Sequence, residues 1–429
     1  MNTSTVRVDP DPWRLARLKF VAPLRSERMS AGSDYPGYLG LENIESWTGK
    51  IIEVESKLDD EIANESAGLA NIFRQGDVLF GKLRPYLAKA CHAPRDGVCS
   101  TELLVMRPSE LLEPRFLLYS ILTSDFVGTV DASTFGAKMP RANWDFIGSL
   151  KVKVPPVEEQ RLIANYLDRE TARIDGLIAE KERMLALLEE KRAALISRVV
   201  TRGLDLKAPL KPSGQEWLGE IPEHWEMQPI KYLAVVGNGS TPSVENADYW
   251  DDEGYPWLNS SVVNASPVTT ASRFVTDTAL QECHLPKIQP PAVLVGITGQ
   301  GKTRGMASVL GVEATINQHL AFIKPHSPKL DTEYLRYLLG HAYKFLRSDS
   351  DGAGSTKGAI TCEQLANMKI PVPSSSEQID ICTRIKQSLE VSKPLCSQIQ
   401  RSLDLLIERR SALITAAVTG QIRLEEMAS

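Results

Sequence analysis

Residues 190–201 read EKRAALISRVVT, and residues 408–419 read ERRSALITAAVT. The two stretches align without a gap, and the same offset extends back to Gln160 and Gln378. A match of this length inside one chain indicates an internal repeat, and a repeat decides the architecture before any local prediction does. The chain is therefore a tandem duplication whose two copies end in equivalent segments.

The repeat extends outward from these segments in the same order in both halves. Trp13 matches Trp225, and Lys19 matches Lys231. The matching stretches are residues 12–22 with 224–234, 100–108 with 317–325, and 151–155 with 369–373. Each half therefore predicts one mixed module followed by a proline-rich hinge.

The module and the segment after the hinge differ in their apolar pattern. Runs such as GDVLF (76–80), LLVM (103–106) and AVLV (292–295), broken by Gly and Pro turns, predict short strands. After the hinge, apolar residues recur at helical spacing and at equivalent positions. The equivalent pairs are Ile163 with Ile381, Leu167 with Ile385, Leu177 with Leu395, Leu188 with Leu406, and Leu195 with Leu413.

Two arrangements suit these helices. Steps of seven and four residues suit a coiled-coil seam between the two helices, and the alternative is an amphipathic helix packed on its own domain. Gly176 and Pro394 occupy the same repeat position, and both residue types disfavour a helix interior, so we expect a kink or break there. About 44 residues at ~1.5 Å each allow a helix of at most about 66 Å.

The stretch between the halves is rich in Pro, Gly and polar residues, which is typical of a connector. We therefore predict an α+β fold with two β-rich mixed domains and two long helices. The predicted boundaries are a first domain at 1–155, a first helix at 156–203, a linker at 204–224, a second domain at 225–373, a second helix at 374–422 and a tail at 423–429.

The bulk composition, with 42% hydrophobic and 24% charged residues, is that of an ordinary globular protein. No apolar run is long enough for a membrane span, and no apolar stretch near the start suits a secretory signal. Six cysteines are scattered without a Cys-x-x-Cys pair. We expect a cytoplasmic protein with reduced, mostly buried cysteines and no membrane partner.

The net charge of −5 argues mildly against a free-standing DNA-binding protein. Two segments are nevertheless locally basic. Residues 81–95 contain four basic and no acidic side chains, and residues 284–304 contain three basic and no acidic side chains. Such segments suit contact with a polyanion, with further affinity expected from partner subunits.

Residues 296–303, GITGQGKT, satisfy the phosphate-binding pattern G-x-x-x-x-G-K-[ST]. That interpretation requires a helix to begin at Lys302, because the helix N-terminus supplies the anion site. The following RGMASVLGV (304–312) instead predicts a turn and a strand, and the first half has no such motif. A glycine-rich basic loop beside a nucleic-acid backbone is the better interpretation.

Other catalytic patterns are incomplete. EVESK (53–57) contains only the Glu-x-Lys tripeptide of magnesium nucleases, which is common in charged segments. Cys91, His92 and Cys99 lack a fourth zinc ligand at the usual spacing. The six histidines have no nucleophile and carboxylate arranged as in a triad. The sequence therefore predicts a chain without a catalytic site of its own.

The linker PLKPSGQEWLGEIPEHW (209–225), the stretches GDVLFGKLRP (76–85) and KMPRAN (138–143), and the two Glu-Gln-led helices ending in Ala-Leu-Ile resemble specificity subunits of type I restriction-modification enzymes. The resemblance spans roughly residues 13–422. It implies two target-recognition domains, an antiparallel helix pair as a spacer, and a pseudo-twofold axis. It also implies a non-catalytic subunit that recognises an asymmetric bipartite site in double-stranded DNA.

The same resemblance implies two methyltransferase subunits and motor-nuclease subunits as partners. S-adenosylmethionine, ATP and magnesium belong to those partners, so this chain is expected to hold no cofactor. The candidate DNA contacts are Lys82, Arg84, Tyr86, Lys138 and Arg141 in the first domain, and Gln300, Lys302, Arg304 and Lys357 in the second. For each, a phosphate contact or a solvated charge explains the residue as well as base reading does. A scaffold or DNA-mimic protein and a nucleotide-binding protein remain the alternative classes.

Overall fold

Two units, each drawn from both halves of the chain, make up the structure. The computed structural model describes residues 13–30, 38–52, 69–136, 138–299, 301–351 and 358–428. One unit comprises Met1–Arg183 with Gln400–Ser429, and the other comprises Met184–Ile399. Each unit therefore contains one β-rich domain, the first part of one long helix and the last part of the other.

The first domain contains short strands and helices around a buried sheet. Its described strands are β1 Arg14–Arg17, β2 Arg28–Ser30, β3 Tyr38–Leu39, β4 Leu69–Phe73, β5 Val78–Gly81, β6 Ala90–His92, β7 Gly97–Cys99, β8 Leu103–Met106 and β9 Lys151–Val154. Its described helices are α1 Leu18–Val21, α2 Pro114–Ile121, α3 Ser124–Ala132 and α4 Trp144–Ile147. The sheet orders are β6-β5-β8, β2-β4-β7-β3 and β1-β9.

The first long helix, α5 (Val157–Arg202), follows β9 and leads into the linker. The linker is folded, because β10 (Leu210–Pro212) and β11 (Glu220–Pro222) form an antiparallel hairpin. Trp217 in this hairpin stacks on Phe345 with ring centroids 5.7 Å apart. The predicted connector is therefore an ordered element that packs on the second domain.

The second domain repeats the arrangement of the first, but its strands and the segments between them differ in length. Its described strands are β12 Glu226–Pro229, β13 Ala234–Asn238, β14 Trp250–Asp251, β15 Tyr255–Leu258, β16 Arg273–Val275, β17 Ala292–Gly296, β18 Ala307–Leu310, β19 Thr315–Ile316, β20 Leu320–Pro325 and β21 Lys369–Val372. Its described helices are α6 Asp277–Glu282, α7 Thr332–His341, α8 Tyr343–Asp351 and α9 Cys362–Asn367. The long α10 Ser375–Val418 follows, and α11 Leu424–Met427 belongs to the first unit. β17 lies between β18 and β20 as β5 lies between β6 and β8, and both are buried throughout, as their unbroken apolar runs predict.

A buried glutamine ties each domain to the first turn of its own helix. The Gln160 amide donates to the carbonyl oxygens of Leu111 and Pro155 at 2.9 and 2.7 Å. Its oxygen accepts from the backbone N–H of Glu113 at 2.8 Å. Gln378 makes the same set of bonds at 2.7–2.9 Å, with Lys329, Pro373 and Asp331. Both glutamines are fully buried, so each amide must find its hydrogen-bond partners within the protein, and these backbone groups supply them.

A tryptophan and a glutamate repeat the connection one residue earlier on each helix. The indole N–H of Trp13 donates to the Glu159 carboxylate at 3.0 Å, and Trp225 donates to Glu377 at 3.0 Å. Both glutamates lie in the first turn of a long helix, where the helix dipole favours a negative charge. The matched tryptophans of the sequence repeat thus have one structural role.

The long helices pair in opposite directions within each unit. In the first unit, Ile163 and Leu167 near the start of α5 share a core with Ile414 and Val418 at the end of α10. In the second unit, the end of α5 packs beside the start of α10, through Val199, Val200, Ile381 and Ile385. The predicted α+β fold with an antiparallel helix pair is confirmed. The helices pack against each other and also against their own domains, because the same apolar residues of each helix contact both.

The middle of each helix differs from the sequence prediction. Leu177 is 36% exposed and Leu395 is 42% exposed, so this pair is not part of a closed seam. The expected break is also absent, since α5 continues through Gly176 and α10 continues through Pro394. Pro394 leaves the Glu390 carbonyl without its helical donor, and both residues are exposed, so water can replace that bond.

We expect Gln378→Ala to lower the free energy of unfolding of the second unit by about 1–3 kcal/mol, because it removes a fully buried amide and leaves the half-buried Asp331 N–H without its acceptor. Urea denaturation followed by circular dichroism measures the change. Gln387→Ala, an exposed glutamine on the same helix, is the matched control and should change stability by less than about 0.5 kcal/mol. Equal stability of the two variants would contradict the role of the buried amide.

Candidate nucleic-acid interface

Two sequence-distant basic stretches meet at the end of β5. The backbone N–H of Arg84 donates to the carbonyl of Pro140 at 2.8 Å. Two residues away, the N–H of Ala142 donates to the carbonyl of Lys82 at 2.9 Å. The stretch after β5 therefore runs beside the stretch before α4, and the candidate residues of the first domain lie on adjacent strands of chain.

This paired segment is exposed and carries basic, aromatic and apolar side chains. Arg84 and Lys138 are exposed, and Tyr86 is 46% exposed in a 3₁₀ turn. Arg84 adopts a left-handed conformation with φ of 51°, which a non-glycine residue adopts only where the surrounding chain holds it. Phe135, beside them, is 65% exposed. Such a surface suits contact with nucleic acid.

Arg141 carries a partner of opposite charge within the same surface. Its guanidinium lies 3.2 Å from the carboxylate of Glu102, and both side chains are partly exposed. Glu102 precedes β8, and its carbonyl accepts from the Lys82 N–H at 2.9 Å. The carboxylate thus fixes the guanidinium and lowers the net positive charge at this point.

We call the backbone hydrogen bonds that join Lys82 to Glu102 and to Ala142 the framework of the first unit. The second unit has the same framework, formed by different residues. The Ile297 N–H donates to the carbonyl of His319 at 3.0 Å, as Lys82 donates to Glu102. The Ile360 N–H donates to the carbonyl of Ile297 at 2.8 Å, as Ala142 donates to Lys82. Leu83 bridges Arg141 in the first unit, and Thr298 bridges Ala359 in the second. These bonds and bridges make Leu83 the structural equivalent of Thr298, Glu102 the equivalent of His319, and Arg141 the equivalent of Ala359.

A group of polar side chains occupies that position in the second unit. Thr298 Oγ1 and His319 Nδ1 are hydrogen-bonded at 2.6 Å. Gln318 Oε1 accepts from Thr241 Oγ1 at 2.6 Å. Gln318 and His319 are both exposed. These residues were not among the sequence candidates, although the match of residues 100–108 with 317–325 had placed His319 opposite Glu102.

The glycine-rich segment after β17 forms a held turn. Residues 302–305 are a turn that leads into β18, so the predicted turn and strand are confirmed and no helix begins at Lys302. The Tyr343 hydroxyl donates to the Lys302 carbonyl at 3.0 Å, and Arg347 donates to the Gly301 carbonyl at 2.6 Å. Lys302 is exposed at this turn. Gln300 and Lys357 lie outside the described residues.

Arg304 is buried, contrary to the sequence prediction of a DNA contact. Its side chain is 3% exposed, so its guanidinium is not on the surface that DNA could contact. The Arg304 carbonyl accepts from Arg347 at 3.3 Å. The sequence pattern predicts an exposed charge in this loop, whereas the structure buries Arg304.

The other motifs give no metal or catalytic centre within the described residues. Burial raises the pKa of Cys91 and Cys99 to about 12, which keeps both thiols protonated, and burial lowers the pKa of His92. No group of three His, Cys, Asp or Glu side chains in the described ranges could hold a metal ion. The stretch at residues 53–57 lies outside those ranges.

Two further predictions concern the burial of the cysteines and the lack of a membrane span. All six cysteines are free, with three buried and three partly exposed, so burial is less complete than predicted. Across the described ranges, no helix has the length and apolar character needed to cross a membrane.

One exposed feature is the same in both units. Lys19 lies over the ring of Phe20 at 5.3 Å, and Lys231 lies over the ring of Tyr232 at 5.5 Å. The two aromatic residues are 70% and 65% exposed. These pairs occupy equivalent repeat positions. We call them the lysine–aromatic pairs.

The type I restriction modification DNA specificity domain matches this chain twice, at residues 48–184 and 222–399. The chain is 25% identical to the provisionally named MjaX type I restriction enzyme specificity subunit of Methanocaldococcus jannaschii, over 97% of this chain and 95% of that protein. It is 21% identical to the MjaVIII specificity subunit of the same organism, with the same coverage of 97% and 95%. A solved chain from a study of complex assembly and conformational transition in a type I R-M system shares the fold. Its TM-score is 0.73 at 22% identity, over 96% of this chain and 99% of that chain.

The two domain matches cover most of the chain and fall one in each repeat. They agree with the paired domains, the paired helices and the two equivalent loop frameworks. The chain belongs to the family of type I restriction modification DNA specificity subunits.

Proposed function

We propose that this chain is the non-catalytic DNA-recognition subunit of its restriction-modification complex and that it reads a bipartite, asymmetric site in double-stranded DNA. The observation that carries the proposal is one backbone framework built twice with different exposed side chains. Equal frameworks suit equivalent positions on a duplex, whereas different side chains suit different half-sites. The exposed basic residues at both frameworks disfavour a DNA mimic, whose surface would be acidic.

The long helices suit the role of a ruler between the two half-sites. α5 has 46 residues and α10 has 44, and neither is interrupted. A continuous helix resists bending more than a loop does, so a fixed gap between half-sites follows. Half-site centres about one turn of DNA apart, roughly 34 Å, are the usual expectation for paired readers.

The partners follow from the duplication. Two lysine–aromatic pairs at equivalent positions suit two copies of one partner, since a repeated surface binds a repeated ligand. We assign them to two methyltransferase subunits, which would supply S-adenosylmethionine chemistry. Motor-nuclease subunits would supply ATP and magnesium chemistry, and the complex would act on DNA in the cytoplasm.

Removing one exposed charge from each loop should affect the half-sites separately. Arg84→Ala should weaken protection of one half-site, and Lys302→Ala should weaken protection of the other, each by several-fold and with a smaller salt dependence. Footprinting of the reconstituted complex measures this. Lys207→Ala, an exposed linker lysine, is the control. Unchanged protection in both loop variants would contradict the assignment of these loops to DNA.

Lengthening the helices should lengthen the gap. Four residues inserted after Arg183 and four after Ile399 add about 6 Å of helix and should increase the preferred gap by one or two base pairs of about 3.4 Å each. Methylation-site mapping measures the gap. Four residues inserted after Gly214, in the linker hairpin, should leave it unchanged. An unaltered gap in the helix variant would count against the ruler.

The stoichiometry can be tested at the lysine–aromatic pairs. Phe20→Ser should leave one bound methyltransferase subunit, and Phe20→Ser combined with Tyr232→Ser should leave none, because exposed aromatic residues supply much of the contact at interfaces. Native mass spectrometry counts the subunits. Leu206→Ser, at a linker residue that is 77% exposed, is the control. Two bound copies on the double variant would refute the assignment.

A further inference from the structure

We propose that the exposed polar group beside each framework selects the bases of its half-site: Arg141 with Glu102 in the first unit, and Gln318 with His319 and Thr298 in the second. The inference rests on the proposed function, namely that the frameworks lie against DNA. It adds which side chains read bases and which bases they select.

The two units keep the same backbone bonds at this position but present different side chains. The hydrogen bonds that join Lys82 to Glu102 and Ile297 to His319 differ in length by only 0.1 Å, at 2.9 and 3.0 Å. The backbone is therefore kept while the side chains it presents are replaced. Two different half-sites require different recognition residues. At this position the two units present different side chains.

The chemistry of the first group favours guanine. Glu102 contacts Arg141 at Nε and Nη2, so the guanidinium is oriented while its remaining N–H groups stay available. The Arg141 side chain is 38% exposed and the Glu102 side chain 24% exposed, so both are accessible to a groove. Arginine donors match O6 and N7 of guanine, and a carboxylate accepts from the amino group of cytosine. A G·C pair is the target of this group.

The chemistry of the second group favours adenine. Thr241 donates to the Gln318 oxygen at 2.6 Å and so fixes the direction of the amide, whose nitrogen also contacts His319 Nε2 at 3.4 Å, while Gln318 as a whole is exposed. Glutamine pairs with N6 and N7 of adenine. His319 is oriented by its Nδ1 contact with Thr298 at 2.6 Å, and its Nε2 contacts the nitrogen of the Gln318 amide. An A·T pair is the target of this group.

These groups are separate from the lone basic residues of the loops. Arg84 and Lys302 are exposed cations without an ion pair to orient them in the described residues, which suits contact with phosphate. Loss of a phosphate contact weakens binding to every sequence, whereas loss of an oriented reader changes only the preference at one position. The two roles therefore have different measurable effects.

The test is selection of duplexes from a randomised library by the reconstituted complex, with sequencing of the bound fraction. Arg141→Ala should reduce the preference for guanine at one position of one half-site roughly tenfold or more, with the other half-site unchanged. Gln318→Ala should do the same for adenine in the other half-site. Arg107→Ala and Gln281→Ala, exposed residues of the same types in the same domains, should leave all preferences intact.

A charge-conserving variant guards against loss of folding. Arg141→Lys keeps the positive charge but cannot reproduce the planar pair of donors, so it should bind duplex DNA with near wild-type affinity and lose the guanine preference. Wild-type preferences at every position in Arg141→Lys and Gln318→Ala would overturn the inference and leave the proposed function standing. A wild-type complex that selects no sequence at all would overturn the proposed function, and the inference with it.

Discussion

One buried hydrogen-bonded side chain determines how each domain is attached to its helix. Gln160 and Gln378 each satisfy two backbone carbonyls and one backbone N–H inside the protein, with bonds of 2.7–2.9 Å. Removing either amide would leave partly buried backbone groups without their partner, which costs stability. The domain and the first turn of its helix are therefore held in one orientation, and the loops that the domain carries inherit that orientation.

The duplication separates what both units share from what each unit needs for itself. The shared parts are the glutamine and tryptophan connections, the buried central strands and the backbone bonds under the loops. The individual parts are the side chains that these bonds present, such as Glu102 against His319. A protein that must read two unlike half-sites with one architecture can change the second set without disturbing the first, because exposed side chains contribute little to stability.

The sequence shows the basic stretches but not how they lie beside one another. It placed Lys82, Arg84 and Arg141 in two separate stretches, and only the backbone bonds between those stretches show that they form one surface. It suggests an exposed charge at Arg304, whose side chain is only 3% exposed in the structure, because a local pattern does not record burial. It gives no electrostatic signal at Gln318, because that residue is uncharged and lies outside a basic run.

The sequence by itself determined the duplication, the alternation of strand-rich domains with long helices, and the positions of the central strands. These depend on residue order and apolar periodicity, which act over short distances along the chain. Only the tertiary structure decided that the linker folds as a hairpin and that α10 continues through Pro394. It alone also decided which polar side chains meet at the loops. Those outcomes depend on solvent exposure and on contacts between residues far apart in sequence, which local patterns do not record.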